Sequence, residues 1–320
     1  MRPHHERAPY VKFVQFGWLT LTVVLATLQF DAPRQPASAG PPQVPFSRQD
    51  WLVPSTVPGV PMHTEILPPQ AKPPFPLAVI NHGSTAEAEE RKGVTLTNFE
   101  LITSWFVNHG YLVALPQRLG HGETGGPYLE DISSCDNPDY VAAGLGAAAS
   151  IQAVVQYLTS QPFVRKTGVV LVGHSAGAWG ALAAASQMPQ GLRAVINFSG
   201  GLGGHSYGEP NRNCAPSRLV EAAAVFGQST RIPTLWLYAA NDTYFDAALS
   251  EKMADAFRGA GGLAEYHLLP ALDGEGHFLM FSPEAMPLWA PIVAKFLQNS
   301  GAAAHSQLSG FGSGGNKQRN

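Results

Sequence analysis

Cysteine and charge are both scarce in this chain: two cysteines occur in 320 residues, and only 13% of the residues are charged. Cys135 and Cys214 show no C-x-x-C or histidine-rich spacing, and H-E-x-x-H and EF-hand patterns are absent, so nothing in the sequence calls for a metal. Asp131, Asp136 and Asp139 stand close together but read as a solvated loop and helix start. No lysine- and arginine-rich run of five or more occurs, and the net charge is -3. Without a basic field to attract phosphate backbones, nucleic acid is not an expected partner. There is no internal repeat, which removes solenoids and propellers. What the chain does have is apolar content, 45% hydrophobic, enough for one large core in a chain of this length.

The N-terminus reads as separate from that core. Arg2, Arg7 and Lys12 precede the apolar run "FVQFGWLTLTVVLATLQF". Ala37, Ser38 and Ala39 then supply small residues ahead of a cut before Gly40, so residues 1–39 read as an export signal. A retained anchor is the alternative, because the run approaches the ~20 residues that span a bilayer. Either way the expected location is outside the cytoplasm, periplasmic or extracellular, with membrane contact only if the segment is kept. An oxidising compartment favours pairing Cys135 with Cys214; two separate buried thiols are the alternative.

Residues 40–76 are dense in proline and read as an extended stretch with at most one edge strand, "MHTEIL". Beyond it short apolar strands alternate with helical spacings. "PLAVINHGS" is followed by the helical "NFELITSWFVNHG" and the strand "YLVALPQ"; a long helix near 138–160 leads to the strand "GVVLVG" and the helix "AGAWGALAAASQM". "LRAVINFSG", "RIPTLWLYAAND" and "AEYHLLP" are further strands, with helices near 246–259 and 283–298. Short, nearly all-apolar strands separated by helices require a mostly parallel sheet covered on both faces, so residues 77–299 are expected to form one doubly wound α/β domain. The tail, 300–320, is rich in glycine and serine and is expected to be disordered.

"GHSAG", with Ser175 at its centre, stands where an apolar strand meets a helix. Glycines on both sides let the turn tighten and bring strand and helix close. That setting exposes a serine hydroxyl above the sheet edge and predicts Ser175 as a nucleophile. A serine hydroxyl is unreactive at neutral pH without a base, a group that orients the base, and donors for an oxyanion. Both partners should follow later strands, acid before histidine. Asp242 ends "TLWLYAAND", and His277 lies in "LDGEGHF" after "AEYHLLP"; Asp246 reads instead as a helix cap. The oxyanion donors expected are the amide of Ala176, at a helix start, and the amide of Ser84 in "NHGS", with the amide of Gly83 as the alternative. Tyr244, Phe245, Trp179 and Phe278 are candidates for an apolar pocket wall or for core. "GHGETG" at 120–125 matches a dinucleotide fingerprint, but no helix begins within its glycines, so no cofactor is expected.

In their order along the chain, "NHGS", "RLGHGETGG", "GHSAG", "YAAND" and "GEGHF" resemble the α/β-hydrolase superfamily, and within it the dienelactone-hydrolase-like serine esterase branch. The resemblance covers about 76–298. It implies an α/β-hydrolase fold, a lid-like insertion at about 200–230 that a Cys135–Cys214 bridge would pin, and hydrolysis of small carboxylic esters through Ser175, His277 and Asp242. Dienelactone hydrolases proper use a cysteine nucleophile where this chain has Ser175, and the lipase-type His-Gly-Gly-Gly is missing; both differences turn the expectation toward simpler esters. A peptidase or acyltransferase on the same residues, and a non-catalytic binding protein of the same fold, are the competing expectations.

Overall fold

The computed structural model describes residues 47–187 and 189–304; the proposed signal and most of the tail lie outside them. Eight strands form one sheet: β1 (Gln49–Val53), β2 (Met62–Leu67), β3 (Leu77–Asn81), β4 (Leu112–Pro116), β5 (Val169–His174), β6 (Leu192–Phe198), β7 (Thr234–Ala239) and β8 (Ala264–Leu269). Among the described residues seven α-helices accompany them: α1 (Ala88–Lys92), α2 (Glu100–Asn108), α3 (Tyr140–Thr159), α4 (Ala176–Ser186), α5 (Pro216–Ser229), α6 (Ala247–Gly259) and α7 (Met286–Asn299). The strand order is β1-β2-β4-β3-β5-β6-β7-β8. β2 runs antiparallel to both of its neighbours, and every pair from β4 to β8 is parallel.

β3, β4, β5 and β7 are buried at every position, because helices cover both faces of the sheet. On one face α3 to α6 bury residues such as Trp179, Phe226, Met253 and Phe257. On the other α2 and α7 bury Ile102, Phe106, Trp289 and Phe296. α3 is the one described helix long and apolar enough to cross a membrane; it packs instead on α4, and Tyr140, Ala143, Ala147, Ile151 and Val154 are buried. Asp139 and Asp246 cap α3 and α6 by accepting from Ala142 and Leu249, so Asp246 has the capping role expected of it.

The proline-dense stretch carries two strands rather than at most one, and β2 is interior, flanked by β1 and β4. β1 escapes the sequence reading because its polar Gln49 and Asp50 hide the apolar pattern. Trp51 anchors it edge-on to Tyr157 and Phe163, with ring centroids 6.5 and 6.0 Å apart. No helix starts among the glycines at 120–126; the next helix after β4 is α3. Of the segment at 200–230, the second half is α5, which buries Leu219, Ala222, Ala223 and Phe226 and packs on α3, α4 and α6.

Cys135 and Cys214 form a disulfide, joining the loop before α3 to the start of α5. Tyr140 donates its hydroxyl to the carbonyl of Cys214 beside it. The bridge closes a sequence separation of 79 residues, for which loop-closure entropy gives about 4 kcal/mol. A double Cys135→Ser, Cys214→Ser variant should therefore unfold at clearly lower denaturant concentration, with a steeper slope because the unfolded chain, freed of its cross-link, exposes more surface; an unchanged midpoint would show that the bridge adds no stability.

Candidate active site

The chain leaves β3 toward β4 on one side and then crosses back to β5 on the other, so the loops after β3 and β5 part at the switch in strand order, where open α/β sheets bind ligands. Asn81 pairs with Gly173 in the register of these strands. The residues that follow, His82 to Ser84 and Ser175, are brought to one cleft of about 670 Å³.

Ser175 occupies φ 54° and ψ -125° between β5 and α4, a backbone state that costs a non-glycine residue on the order of 1–3 kcal/mol. The surrounding structure enforces it. The Ser175 amide donates to Phe198 at 3.0 Å, and its carbonyl accepts from Ala178, Trp179 and Gly201. A Cβ at Gly173 would lie 2.4 Å from the Ala178 nitrogen, and one at Gly177 would lie 2.3 Å from the His82 carbonyl oxygen. The two glycines therefore permit a backbone approach that no other residue allows. Gly83 is near as well: a Cβ there would sit 3.4 Å from that of Ser175. No hydrogen bond joins the Ser175 hydroxyl to another described residue.

His277 lies in a 3₁₀ turn, Gly276–Phe278, after β8. Its Nδ1 donates to Asp242 Oδ2 at 3.1 Å, both side chains being buried. That bond leaves Nε2 as the free edge of a ring that lines the same cleft as Ser175. Asp242 follows β7, and its other oxygen accepts from the amides of Tyr244 and Phe245 at 2.8 and 2.9 Å. Buried His174 donates Nε2–H to the carbonyl of His277 at 2.9 Å. Burial first, and the nearby His277 second, hold His174 well below the ordinary histidine value, so it stays neutral. Tyr244 stacks on His277 with centroids 4.1 Å apart and on His205 with centroids 3.5 Å apart, making a three-ring stack. Tyr244 and Phe278 line the cleft, whereas Trp179 and Phe245 are core.

Behind the loop after β3 is a buried polar cluster that sequence reasoning missed. Arg118 and Glu130 form a two-point ion pair at 2.6 and 2.9 Å with both side chains buried. Arg118 Nη1 donates to the His82 carbonyl at 2.7 Å, and the Arg118 amide donates to His82 Nε2 at 3.1 Å. His82 must then carry its proton on Nδ1, which donates to the Gly83 carbonyl at 2.6 Å. Burial foremost, with Arg118 and His121 adding to it, keeps His82 far below the ordinary value and neutral. The Ser84 hydroxyl donates to His121 Nε2 at 2.7 Å, because His121 Nδ1 is committed to the Leu119 carbonyl at 3.1 Å. Burial is the main cause that lowers His121 to about 4. No group of three or more potential metal ligands is present among the described residues.

This cluster makes the loop's position depend on Glu130. Glu130→Ala would leave a guanidinium buried without a partner and should destabilise the fold by about 3–5 kcal/mol in a denaturant titration. A loss below about 1 kcal/mol would mean that water replaces the carboxylate at little cost.

The sequence model of the dienelactone hydrolase family matches residues 87–277. A search of curated protein sequences found no match. Among solved structures, the chain is similar to a protein described as a dienelactone hydrolase from Klebsiella pneumoniae, with TM-score 0.56 and 19% identity over 79% of this chain and 98% of that one. It is similar to an acetyl xylan esterase from Paenibacillus sp. R4, with TM-score 0.57 and 16% identity over 83% and 88% of the two chains. An acylaminoacyl peptidase from Pyrococcus horikoshii aligns with TM-score 0.57 and 15% identity over 79% of this chain and 41% of that one. At such identities the structures share the α/β-hydrolase fold, and with the family match covering more than half its length, the chain belongs to the dienelactone hydrolase family.

Proposed function

We propose that this family member is an exported serine hydrolase that cleaves small carboxylic esters, with Ser175 as nucleophile, His277 as base and Asp242 as the group that orients it. The observation that carries the reading is the buried His277–Asp242 hydrogen bond of 3.1 Å, which fixes the tautomer of an imidazole whose residue lines the same cleft as Ser175. His277 takes the Ser175 proton as the hydroxyl attacks the ester carbonyl, through a hydrogen bond that tightens when substrate is bound. Asp242 stabilises the resulting imidazolium. His277 then protonates the leaving alcohol, and water releases the acyl group by the same steps in reverse.

The tetrahedral oxyanion is assigned to the amides of Ala176 and Ser84. Ala176 opens α4, so its amide lies at the positive end of the helix dipole. For the second donor, the Gly83 carbonyl is turned to His82. In a trans peptide the N–H points opposite to the C=O, which directs the Ser84 amide away from His82. This supports Ser84 over the alternative, Gly83. Export finds support in the Cys135–Cys214 bridge, a bond that persists in oxidising compartments; the N-terminal segment on which the expectation first rested lies outside the described residues.

Ser175→Ala should fold and yet lose hydrolysis of p-nitrophenyl esters by on the order of a millionfold in kcat, together with labelling by a fluorophosphonate. Turnover retained by that variant would refute the nucleophile, while amide and alcohol-acceptor assays separate an esterase from a peptidase or an acyltransferase.

The cleft also bears on substrate charge. Among the described residues Glu90 lines it, and no lysine or arginine does. The neighbouring Arg91 donates to the carbonyls of Thr85 and Ala86 and lies over the Tyr128 ring at 3.7 Å. A carboxylate on the acyl group would thus be desolvated without a counter-ion. Neutral p-nitrophenyl butyrate should be cleaved at least about tenfold faster, in kcat/KM, than the p-nitrophenyl monoester of succinate; equal rates would show that the acyl end stays in solvent.

A further inference from the structure

Glu275 immediately precedes the 3₁₀ turn that carries His277, and its carboxylate has a set of partners that no reading of the sequence singled out. Oε1 accepts from the Thr243 amide at 2.9 Å and from the His277 amide at 3.0 Å. Oε2 accepts from the Thr243 hydroxyl. Thr243 follows Asp242 in the loop after β7. One carboxylate thus ties the loop bearing the acid to the loop bearing the histidine, independently of the His277–Asp242 bond. Burial works to raise its pKa, but the hydrogen bonds from Thr243 and His277 outweigh that and hold Glu275 below the ordinary carboxylate range. It is therefore ionised wherever an imidazole titrates.

We propose that Glu275 is a positioning residue for His277, a second carboxylate that locks the two catalytic loops together and lends negative charge to the imidazolium formed during turnover. The proposal rests on His277 being the base, as argued above. Asp242 touches the ring and Glu275 touches its backbone, so they divide the work: the first sets the tautomer, the second sets where the ring stands relative to β7. The other ionisable groups around His277 are Tyr244, stacked on the ring, His174, bonded to its carbonyl, and His205, on the far side of Tyr244. Glu90 borders the same cleft. His205 Nε2 donates to the Thr243 hydroxyl at 2.7 Å, which commits that hydroxyl's own proton to Glu275. Of these neighbours only Asp242 and Glu275 place a carboxylate in hydrogen-bond contact with the histidine residue itself.

The test is the pH profile of kcat/KM for p-nitrophenyl ester hydrolysis. Glu275→Gln keeps an acceptor oxygen but removes the charge; the imidazolium becomes less favourable, so the acid limb should move to lower pH by about half a unit, with a several-fold lower plateau. Glu275→Asp, which keeps the charge, should return the limb toward its original place. Thr243→Val removes one tie and no charge, and should lower the plateau without moving the limb. A limb unmoved in Glu275→Gln, with a plateau no lower than that of Thr243→Val, would overturn the proposal. The underlying reading is checked separately by Ser175→Ala and His277→Ala: activity surviving in those variants refutes the triad, whereas activity lost there, with both an unmoved limb and a plateau no lower than that of Thr243→Val in Glu275→Gln, refutes only the role of Glu275.

Discussion

The site depends on a close backbone crossing: the first turn of α4 rests on the chain as it leaves β3. Gly177 approaches the Asn81 and His82 carbonyl oxygens so nearly that a Cβ would stand 2.4 and 2.3 Å from them. Adjacent parallel strands are separated by about 4.8 Å, and β3 and β5 are neighbours in register at Asn81 and Gly173. Without a side chain at 177, the start of α4 can sit within that spacing; with one, the helix must lift. The start of α4 and the loop at 82–84 consequently form one surface, with Ser175 between them. The strained φ of Ser175 is the local cost of turning from strand to helix in so little space.

A crossing this tight restrains α4 and the end of β3, but it does not orient the peptide planes beyond. Those are set by the charged and imidazole groups packed behind the loop. Buried ion pairs seldom add net stability, since desolvation offsets the attraction. The Arg118–Glu130 pair is better understood by what its remaining donor does: Glu130 occupies Nε and Nη2 of Arg118, leaving Nη1 for the His82 carbonyl. His82 then passes the constraint on to Gly83 through its Nδ1. Neutral imidazoles suit this task because each offers one donor and one acceptor in fixed directions, and burial keeps His82, His121 and His174 neutral.

Which parts of this were legible in the sequence follows from the range of the interactions. The parallel sheet was legible because strands buried on both faces must be apolar throughout. Ser175 and Asp242 were legible as candidates because each closely follows such a strand, and His277 because it lies in the loop after the last strand, β8. The cysteine pairing was legible from the number of cysteines together with the expected oxidising compartment. β1 was not, since only Val53 and the half-buried Trp51 anchor it and polar neighbours conceal the alternation. Arg118 and Glu130 are 12 residues apart across a glycine-rich loop, and a sequence presents them as ordinary surface charges. Glu275 looks like a loop acid for the same reason. Its partners at 243 are distant in the chain, and only the pairing of β7 with β8 brings them together.

Around His277 the fold uses a different solution from the one behind His82. In the loops after β7 and β8, side chains and short backbone bonds supply the order. Asn241 donates to the Leu272 and Gly274 carbonyls at 3.0 and 2.7 Å and accepts from the Leu272 amide at 3.0 Å. Gly276 lies so close to Asn241 and Asp242 that a Cβ would stand 2.7 Å from the Asp242 amide nitrogen. Tyr244 covers the imidazole, and His205, carried by the segment before α5, backs Tyr244. The disulfide at Cys214 holds the far end of that same segment, and the Cys214 amide donates back to Gly203 at 2.9 Å. Cross-linking to the loop before α3 thus reaches the histidine through a stack of rings. The segment at 200–213 bears on the site from behind, as a support for Tyr244 and through it for His277, and none of its residues lines the cleft in front of Ser175.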